Sequence, residues 1–285
     1  MSKKVFVIDI NKCNGCHNCQ IVCKDEHVGN DWTPIAKPQP DIGQFWIELT
    51  ERVRGTVPKV KVAYRPNLCM HCDNAPCMEA CKYEGALYKR EDGLVIVNPE
   101  KCTGCRLCVD ACPYEGVIWF NEDLYIAQKC TGCAHLLDDG WKEPRCVEAC
   151  PTGALLFGDL DDPQSELSKA LAAAGARLEV LHPEYGLEEK VGYVGVPKAF
   201  VAGAVVFGDK DECAAGVTVT LEGGGNGASA AKQTTQTDPF GDFEFEGLPE
   251  NTSYKVKIAA PGYKAQEFAV RTGASVYLGD IVLDK

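Results

Sequence analysis

Hydrophobic and polar residues alternate with a period of two along the last third of the chain. This pattern makes one face of a segment apolar and the other polar, which indicates half-buried strands. Turn signals at 238–241 and 260–263 separate the segments, and the glycine run at 223–227 predicts a hairpin loop. Short strands at this spacing predict an antiparallel sandwich of about seven strands. The clearest strand segments are Phe200–Phe207, Val217–Leu221, Phe243–Phe245, Tyr254–Ile258 and Val276–Leu283.

Two apolar runs nearer the N-terminus, Val5–Ile8 and Leu94–Val97, also predict strands, and each leads into a cysteine-rich segment. Farther along, Pro163 in a first helical turn and Gly175 as a stop predict a helix between them. Residues 177–199 contain two prolines and predict an extended connector. The predicted parts of the chain are a cysteine-rich domain over 1–165, a helix and connector over 166–199, and a β-domain over 200–285.

Composition narrows the class of protein. Of the 285 residues, 45% are hydrophobic and 25% are charged, which is ordinary for a folded globular protein. The formal net charge of −12 argues against a nucleic-acid partner, because phosphate binding needs a basic stripe. No apolar run is long enough to span a membrane, and the N-terminus turns polar at Asp9 before a signal peptide could form. We therefore expect a cytoplasmic location, with export to the periplasm alongside a signal-bearing partner as the alternative.

Cysteine is the residue that points to chemistry. The chain has 17 cysteines, and all but Cys213 lie between Cys13 and Cys150. Two of the four groups have the spacing C-x2-C-x2-C-x3-C, and the other two have a longer middle gap. The groups are Cys13, Cys16, Cys19, Cys23; Cys69, Cys72, Cys77, Cys81; Cys102, Cys105, Cys108, Cys112; and Cys130, Cys133, Cys146, Cys150.

Three kinds of cysteine site compete for this pattern. Disulfides require an oxidising compartment and give no reason for the C-x2-C-x2-C spacing. Structural zinc uses pairs of C-x2-C but gives no reason for the third cysteine or for the closing x3-C-P. The bacterial ferredoxin run C-x2-C-x2-C-x3-C-P fits the first and third groups, apart from the proline missing after Cys23. Two such runs hold two [4Fe–4S] cubes, so four runs predict four cubes.

The cysteine loops also repeat one another. Lys-Cys-x-Gly-Cys occurs at Lys12–Cys16, at Lys101–Cys105 and at Lys129–Cys133. A glycine before the second cysteine lets the loop fold closely around a cluster. The repeat therefore predicts an internally duplicated ferredoxin fold.

The stretches Cys69–Cys77, Gly85–Gly93, Cys102–Tyr114 and Cys150–Pro163 together resemble the four-cluster electron-transfer subunits of molybdopterin oxidoreductases, the dimethyl sulfoxide reductase family. The resemblance covers residues 1 to about 165. It implies an α+β fold, in which a duplicated bacterial ferredoxin-like domain binds four cubane clusters. The C-terminal all-β sandwich resembles transthyretin-like and Cna-B-like modules.

The family implies nested pairing of the groups, whereas spacing alone also permits sequential pairing. The nested ligand sets are Cys13, Cys16, Cys19 with Cys150; Cys130, Cys133, Cys146 with Cys23; Cys69, Cys72, Cys77 with Cys112; and Cys102, Cys105, Cys108 with Cys81. The family also implies that a large partner subunit carries a molybdenum or tungsten bis-pterin cofactor. Substrate chemistry would then belong to that partner, and this chain would carry no catalytic residue of its own.

Three further stretches resemble the small subunits of pyrogallol–phloroglucinol transhydroxylases, namely Asp25–His27, Tyr64–Pro66 and Ala127–Asp139. The resemblance implies an electron-transfer subunit of an enzyme that acts on phenolic aromatics. The resemblance implies an incomplete third cysteine group, whereas Cys102, Cys105 and Cys108 are all present in this chain. A full set of clusters favours net electron flow to or from an external partner, so related hydroxylases and reductases belong to the prediction. The alternatives are a subunit of a respiratory quinone-linked molybdoenzyme and a free-standing polyferredoxin.

Several other residues near the cysteines have simpler expected roles. His17, His71 and His135 lie beside or between cysteines, but the cysteines already supply a complete ligand set. We expect Trp119 to help keep water away from a cluster, and the lone Cys213 to be a small packing residue.

Overall fold

The computed structural model describes residues 4–175, 177–224 and 231–285. The chain forms two compact units, the first made of Met1–Glu51 with Ala63–Val196 and the second of Arg52–Val62 with Pro197–Lys285. Most of the segment predicted as a connector therefore lies in the first unit. Part of the loop predicted at 223–227 falls outside the described residues.

The first unit contains short helices and strands between the cysteine loops. Its strands are β1 (Lys4–Asp9), β4 (Leu87–Lys89), β5 (Val95–Val97), β6 (Ile118–Asn121), β7 (Ile126–Lys129), β8 (Leu155–Asp159) and β9 (Val191–Val194), together with the first half of β2 (Ile47–Thr56) and the second half of β3 (Lys59–Leu68), whose other residues belong to the second unit. Its helices are α1 (Asn18–Val28), α2 (Pro76–Ala80), α3 (Leu107–Ala111), α4 (Ala134–Asp138), α5 (Arg145–Glu148) and α6 (Glu166–Ala174), with a 3-10 turn at Pro183–Tyr185.

Strand β1 lies in the middle of a three-stranded sheet, between β8 and β9. It pairs antiparallel with β8 and parallel with β9, and Phe6 faces Phe157 on one side and Val191 on the other. The four residues from Val5 to Ile8 are buried, as a central strand requires. The predicted N-terminal strand is thus present, and β9 adds a parallel strand within the predicted connector.

The helices of the first unit pack in pairs that cross the sequence. Helix α1 packs against α5, and α2 packs against α3. Each of these helices carries a cysteine at or next to its start or end. This pairing brings the first cysteine group towards the last and the second towards the third.

Helix α6 begins later than the sequence predicts. The hydroxyl of Ser165 accepts a hydrogen bond from the Ser168 N–H at 3.0 Å, which makes Ser165 the N-cap. Pro163 therefore lies before the helix and not in its first turn. The predicted stop is confirmed, since Gly175 follows Ala174 with a φ of 56°.

In the second unit, the described residues after Pro197 form two sheets. Strand β10 pairs with β11, β14 and β17, and the other sheet has the order β13-β12-β15-β16. Buried side chains such as Val201, Phe245, Val219 and Val256 form one hydrophobic core. The strands are β10 (Ala199–Phe207), β11 (Glu212–Cys213), β12 (Thr218–Gly223), β13 (Ala231–Gln236), β14 (Asp242–Leu248), β15 (Ser253–Ala259), β16 (Gln266–Arg271) and β17 (Val276–Leu283).

Two details of this unit correct the sequence prediction. Strands β10 and β17 pair in parallel, so the sandwich is not purely antiparallel. Cys213 is exposed in the two-residue strand β11, so it is not a packing residue. Strands β11 and β13 could not be predicted from the sequence, because they are too short or too polar to show an alternation of apolar and polar residues.

Candidate iron–sulfur centres

The cysteines of the four runs gather into four groups, and each group combines residues from two runs. Three of these groups, called sites B, C and D below, each line a cavity. In the remaining group, burial raises the pKa of the Cys13 and Cys19 thiols, and nearby Cys150 raises both further. The groups are site A (Cys13, Cys16, Cys19, Cys150), site B (Cys23, Cys130, Cys133, Cys146), site C (Cys69, Cys72, Cys77, Cys112) and site D (Cys81, Cys102, Cys105, Cys108).

The arrangement is nested. Cys23 lies with Cys133 and Cys130 rather than with the other three cysteines of its run, and Cys112 lines the cavity of site C. Burial raises the pKa of Cys23 well above its usual range, and the thiols of Cys133 and Cys130 raise it further. The structure thus brings together the sets that the family resemblance implies. That these sets bind iron remains a prediction.

The four sites follow one another in the order A, B, C and D. Consecutive sites lie close enough for a thiol of one site to raise the pKa of a thiol in the next, in addition to the effect of burial. The pairs are Cys19 with Cys146, Cys69 with Cys130, and Cys77 with Cys108.

Exposure differs along this row. All four cysteines of site B are buried, whereas Cys16 of site A and Cys105 of site D are exposed. The row therefore reaches solvent at its two ends and is covered in its middle.

The loops of the sites direct backbone N–H groups at sulfur. The residue before the second cysteine has a left-handed backbone in each run, including His71, whose φ is 45°. The N–H of His71 donates to the Cys69 Sγ at 3.4 Å, and the N–H of Gly132 donates to the Cys130 Sγ at the same distance. Such bonds stabilise negative charge on sulfur. The loops therefore suit thiolates bound to a cluster.

The donor set fits cubane clusters. Each site offers four thiols and no histidine or carboxylate is needed to complete it. Among the described residues, no group of three or more His, Cys, Asp or Glu side chains could hold a metal ion. A cubane cluster differs from a single metal ion, because each of its four irons binds one thiolate and the four thiolates lie at separate corners of the cube. Cysteines placed around a cavity are suited to bind such a cluster.

His135 contacts side chains of the first unit. Its Nε2 lies 3.0 Å from a carboxylate oxygen of Glu26, and its ring stacks on Trp32 at 4.4 Å. Burial, together with the nearby His135, lowers the pKa of His27 to about 3. His27 is therefore a neutral residue in the wall of site B.

Sequence reasoning missed a buried lysine. Lys129 is only 2% exposed and lies among the thiols of sites B and C. The sequence shows a lysine before the first cysteine in three of the runs, but Lys12 and Lys101 at the equivalent positions are exposed. The repeated motif therefore does not predict that Lys129 is buried.

Replacing Gly104 with alanine is expected to disrupt the cysteine loop of site D and to lower the iron content of the protein. Gly104 has a φ of 72°, and a Cβ there would lie 2.3 Å from the Tyr125 ring and 2.5 Å from its carbonyl oxygen. Gly116→Ala is the matched control, because Gly116 has a φ of 68° with no atom near the added Cβ. Iron analysis of both variants checks this. Equal iron content in the two would show that the close approach of Tyr125 does not matter.

Models of known families match both parts of the chain. A 4Fe–4S dicluster domain matches residues 60–160, and a 4Fe–4S binding domain matches residues 10–28. A carboxypeptidase regulatory-like domain matches residues 201–284. The chain thus combines 4Fe–4S ferredoxin-like domains with a regulatory-like β-sandwich. Among the described residues, no helix is both long enough and apolar enough to cross a membrane.

Relatives match over most of the chain. The small subunit of pyrogallol hydroxytransferase from Pelobacter acidigallici is 41% identical, over 99% of this chain and all of the relative. One tetrathionate reductase subunit, from Salmonella typhimurium, is 37% identical, over 69% of this chain and 74% of the relative. The iron–sulfur subunit of arsenate respiratory reductase from a Shewanella species is 35% identical, over 68% of this chain and 98% of the relative.

Proposed function

Because the chain belongs to the iron–sulfur electron-transfer subunits of the molybdopterin oxidoreductases, we propose that sites A to D each hold one [4Fe–4S] cluster and that electrons pass along them in that order. Each cluster would accept and release one electron. The observation that carries the proposal is the row of four cysteine sets, exposed at Cys16 and Cys105 and buried at site B.

The protein's own contribution is to hold and insulate the row. Four thiols per site fix the position of a cluster, and backbone N–H groups such as that of Gly132 donate to sulfur. The buried side chains around site B, including Trp46 and Ile47, keep water away from the middle of the row. Exposure at the ends allows redox partners to approach sites A and D.

The substrate chemistry belongs in a larger partner subunit. We expect that partner to hold a molybdenum or tungsten bis-pterin cofactor, since the chain's sixteen clustered cysteines are accounted for by the four sites. The 41% identity with a pyrogallol hydroxytransferase small subunit over the full chain supports phenolic aromatics as substrates. The complete cysteine set of site D supports net electron transfer to or from an external partner.

Metal analysis of the protein purified without air tests this function. We expect about sixteen irons per chain, together with molybdenum or tungsten and a large second subunit. A chain isolated alone with its iron would be a free polyferredoxin. Zinc in place of iron would disprove the cluster assignment. Reduction of the complex by phenols then checks the substrate class.

A further inference from the structure

Lys129, the last residue of β7, is buried between sites B and C. Its ammonium group donates to the carbonyl oxygens of Val95 and of Cys130, the latter at 3.2 Å, and the nearby thiol of Cys69 raises its pKa. An ammonium group has three N–H donors. Two of them are used by these carbonyl oxygens, and the charged group lies beside the Cys69 thiol of site C.

The charge of Lys129 lies next to site C. Val95, whose carbonyl oxygen accepts from the ammonium group, lines the cavity of site C together with Cys69 and Cys77. The same charge opposes the effect of burial on the pKa of Cys77 and Cys112 of site C and of Cys130 of site B. A buried ammonium is stable only where anions compensate it, and thiolates of a cluster supply that compensation.

His71 is the second buried donor beside site C. Its Nδ1 accepts a hydrogen bond from the Val95 N–H at 3.0 Å. Because a backbone N–H can only donate, Nδ1 carries no proton, and the neutral ring carries its proton on Nε2. That Nε2 is buried and has no hydrogen-bond partner among the residues that the structure describes. The ring lines the cavity of site C, so its free N–H is available to a cluster there.

Sites A and D lack both donors at the equivalent positions, and site B lacks the histidine. Where site C has His71, sites A, D and B have Gly15, Gly104 and Gly132. Lys12 and Lys101 occupy the position of Lys129 in their runs, but both are exposed to solvent. A solvated charge acts weakly on a cluster, because water screens it.

We propose that Lys129 and His71 raise the reduction potential of the cluster in site C, which makes site C a preferred resting place for an electron within the row. The inference rests on the proposed function, since it requires a cluster in site C. Reduction adds one negative charge to a cluster, and a nearby cation and N–H donors stabilise the reduced state. Both residues thus position charge and hydrogen bonds around the cluster, without binding iron.

Redox titration of the purified complex, followed by electron paramagnetic resonance, tests this inference. In Lys129→Met we expect one cluster to become at least tenfold harder to reduce, which is about 59 mV for one electron. Lys129→Arg retains the cation and is expected to keep that potential near its original value. Lys101→Met is the matched control and should leave every potential unchanged. His71→Phe should lower the potential of the same cluster.

The outcomes separate this inference from the function on which it rests. If the unaltered complex shows no [4Fe–4S] signals, both are wrong. If Lys129→Met keeps its full iron content and all of its potentials, only the inference is wrong. Should Lys129→Met lose iron, Lys129→Gln decides the question, because it keeps N–H donors without the charge. Unchanged potentials in Lys129→Gln and in His71→Phe would overturn the inference.

Discussion

Replacing Cys23 and Cys146 together with alanine is expected to remove one cluster from the protein, about four of about sixteen irons, and to leave the others in place. Both thiols belong to site B, although they lie in the first and last runs of the sequence. A cube that loses two of its four thiolates has no stable attachment. Iron analysis and the count of paramagnetic signals measure the loss. Because site B lies in the middle of the row, electron transfer between the two ends should also be blocked.

A second double variant makes this result decisive. Cys23→Ala with Cys150→Ala removes one ligand from each of two sites and should disturb two clusters. Under sequential pairing, Cys23 and Cys146 would belong to different cubes, and the first double variant would also disturb two. Cys213→Ala controls for the loss of a thiol as such, because Cys213 is exposed in β11 and belongs to none of the four sites.

Local sequence patterns predicted the parts of the fold that depend on local chemistry. The apolar run before Cys13 became β1, and the run before Cys102 became β5. Alternating residues became strands such as β15, in which Tyr254 is buried and Lys255 is exposed. These strands form because one face of a short segment is buried. A strict alternation of apolar and polar residues shows which face that is.

Features that depend on distant residues could not be predicted in this way. The parallel pairing of β9 with β1 joins segments that are far apart in the sequence, and β9 has only four residues. The nested sites were left open by spacing, because Cys23 is compatible with either partner group. Lys129 shares a motif with Lys101, yet only tertiary packing buries one and exposes the other.

Replacing Phe6 with alanine is expected to destabilise the cluster-binding unit by about 3–5 kcal/mol. Phe6 lies in the central strand β1, is 1% exposed, and packs against Phe157 with 4.8 Å between ring centroids. The small alanine side chain leaves a cavity that the surrounding strands cannot close. A loss of this size lowers the apparent melting temperature by about 10 °C. The loss of iron–sulfur absorbance on heating measures it in the unit that carries the clusters.

The same substitution should also disturb site C more than site D, because the Phe6 ring stacks on His71 with 6.4 Å between centroids. Without Phe6, His71 has lost one wall of its pocket, and its Nε2–H is held less firmly towards the cluster. Phe240→Ala is the matched control, since Phe240 is 75% exposed and should leave the melting temperature unchanged. Equal melting of Phe6→Ala and the unaltered protein would show that β1 does not anchor this unit. A lower melting temperature with unchanged site C signals would separate the packing role of Phe6 from its support of His71.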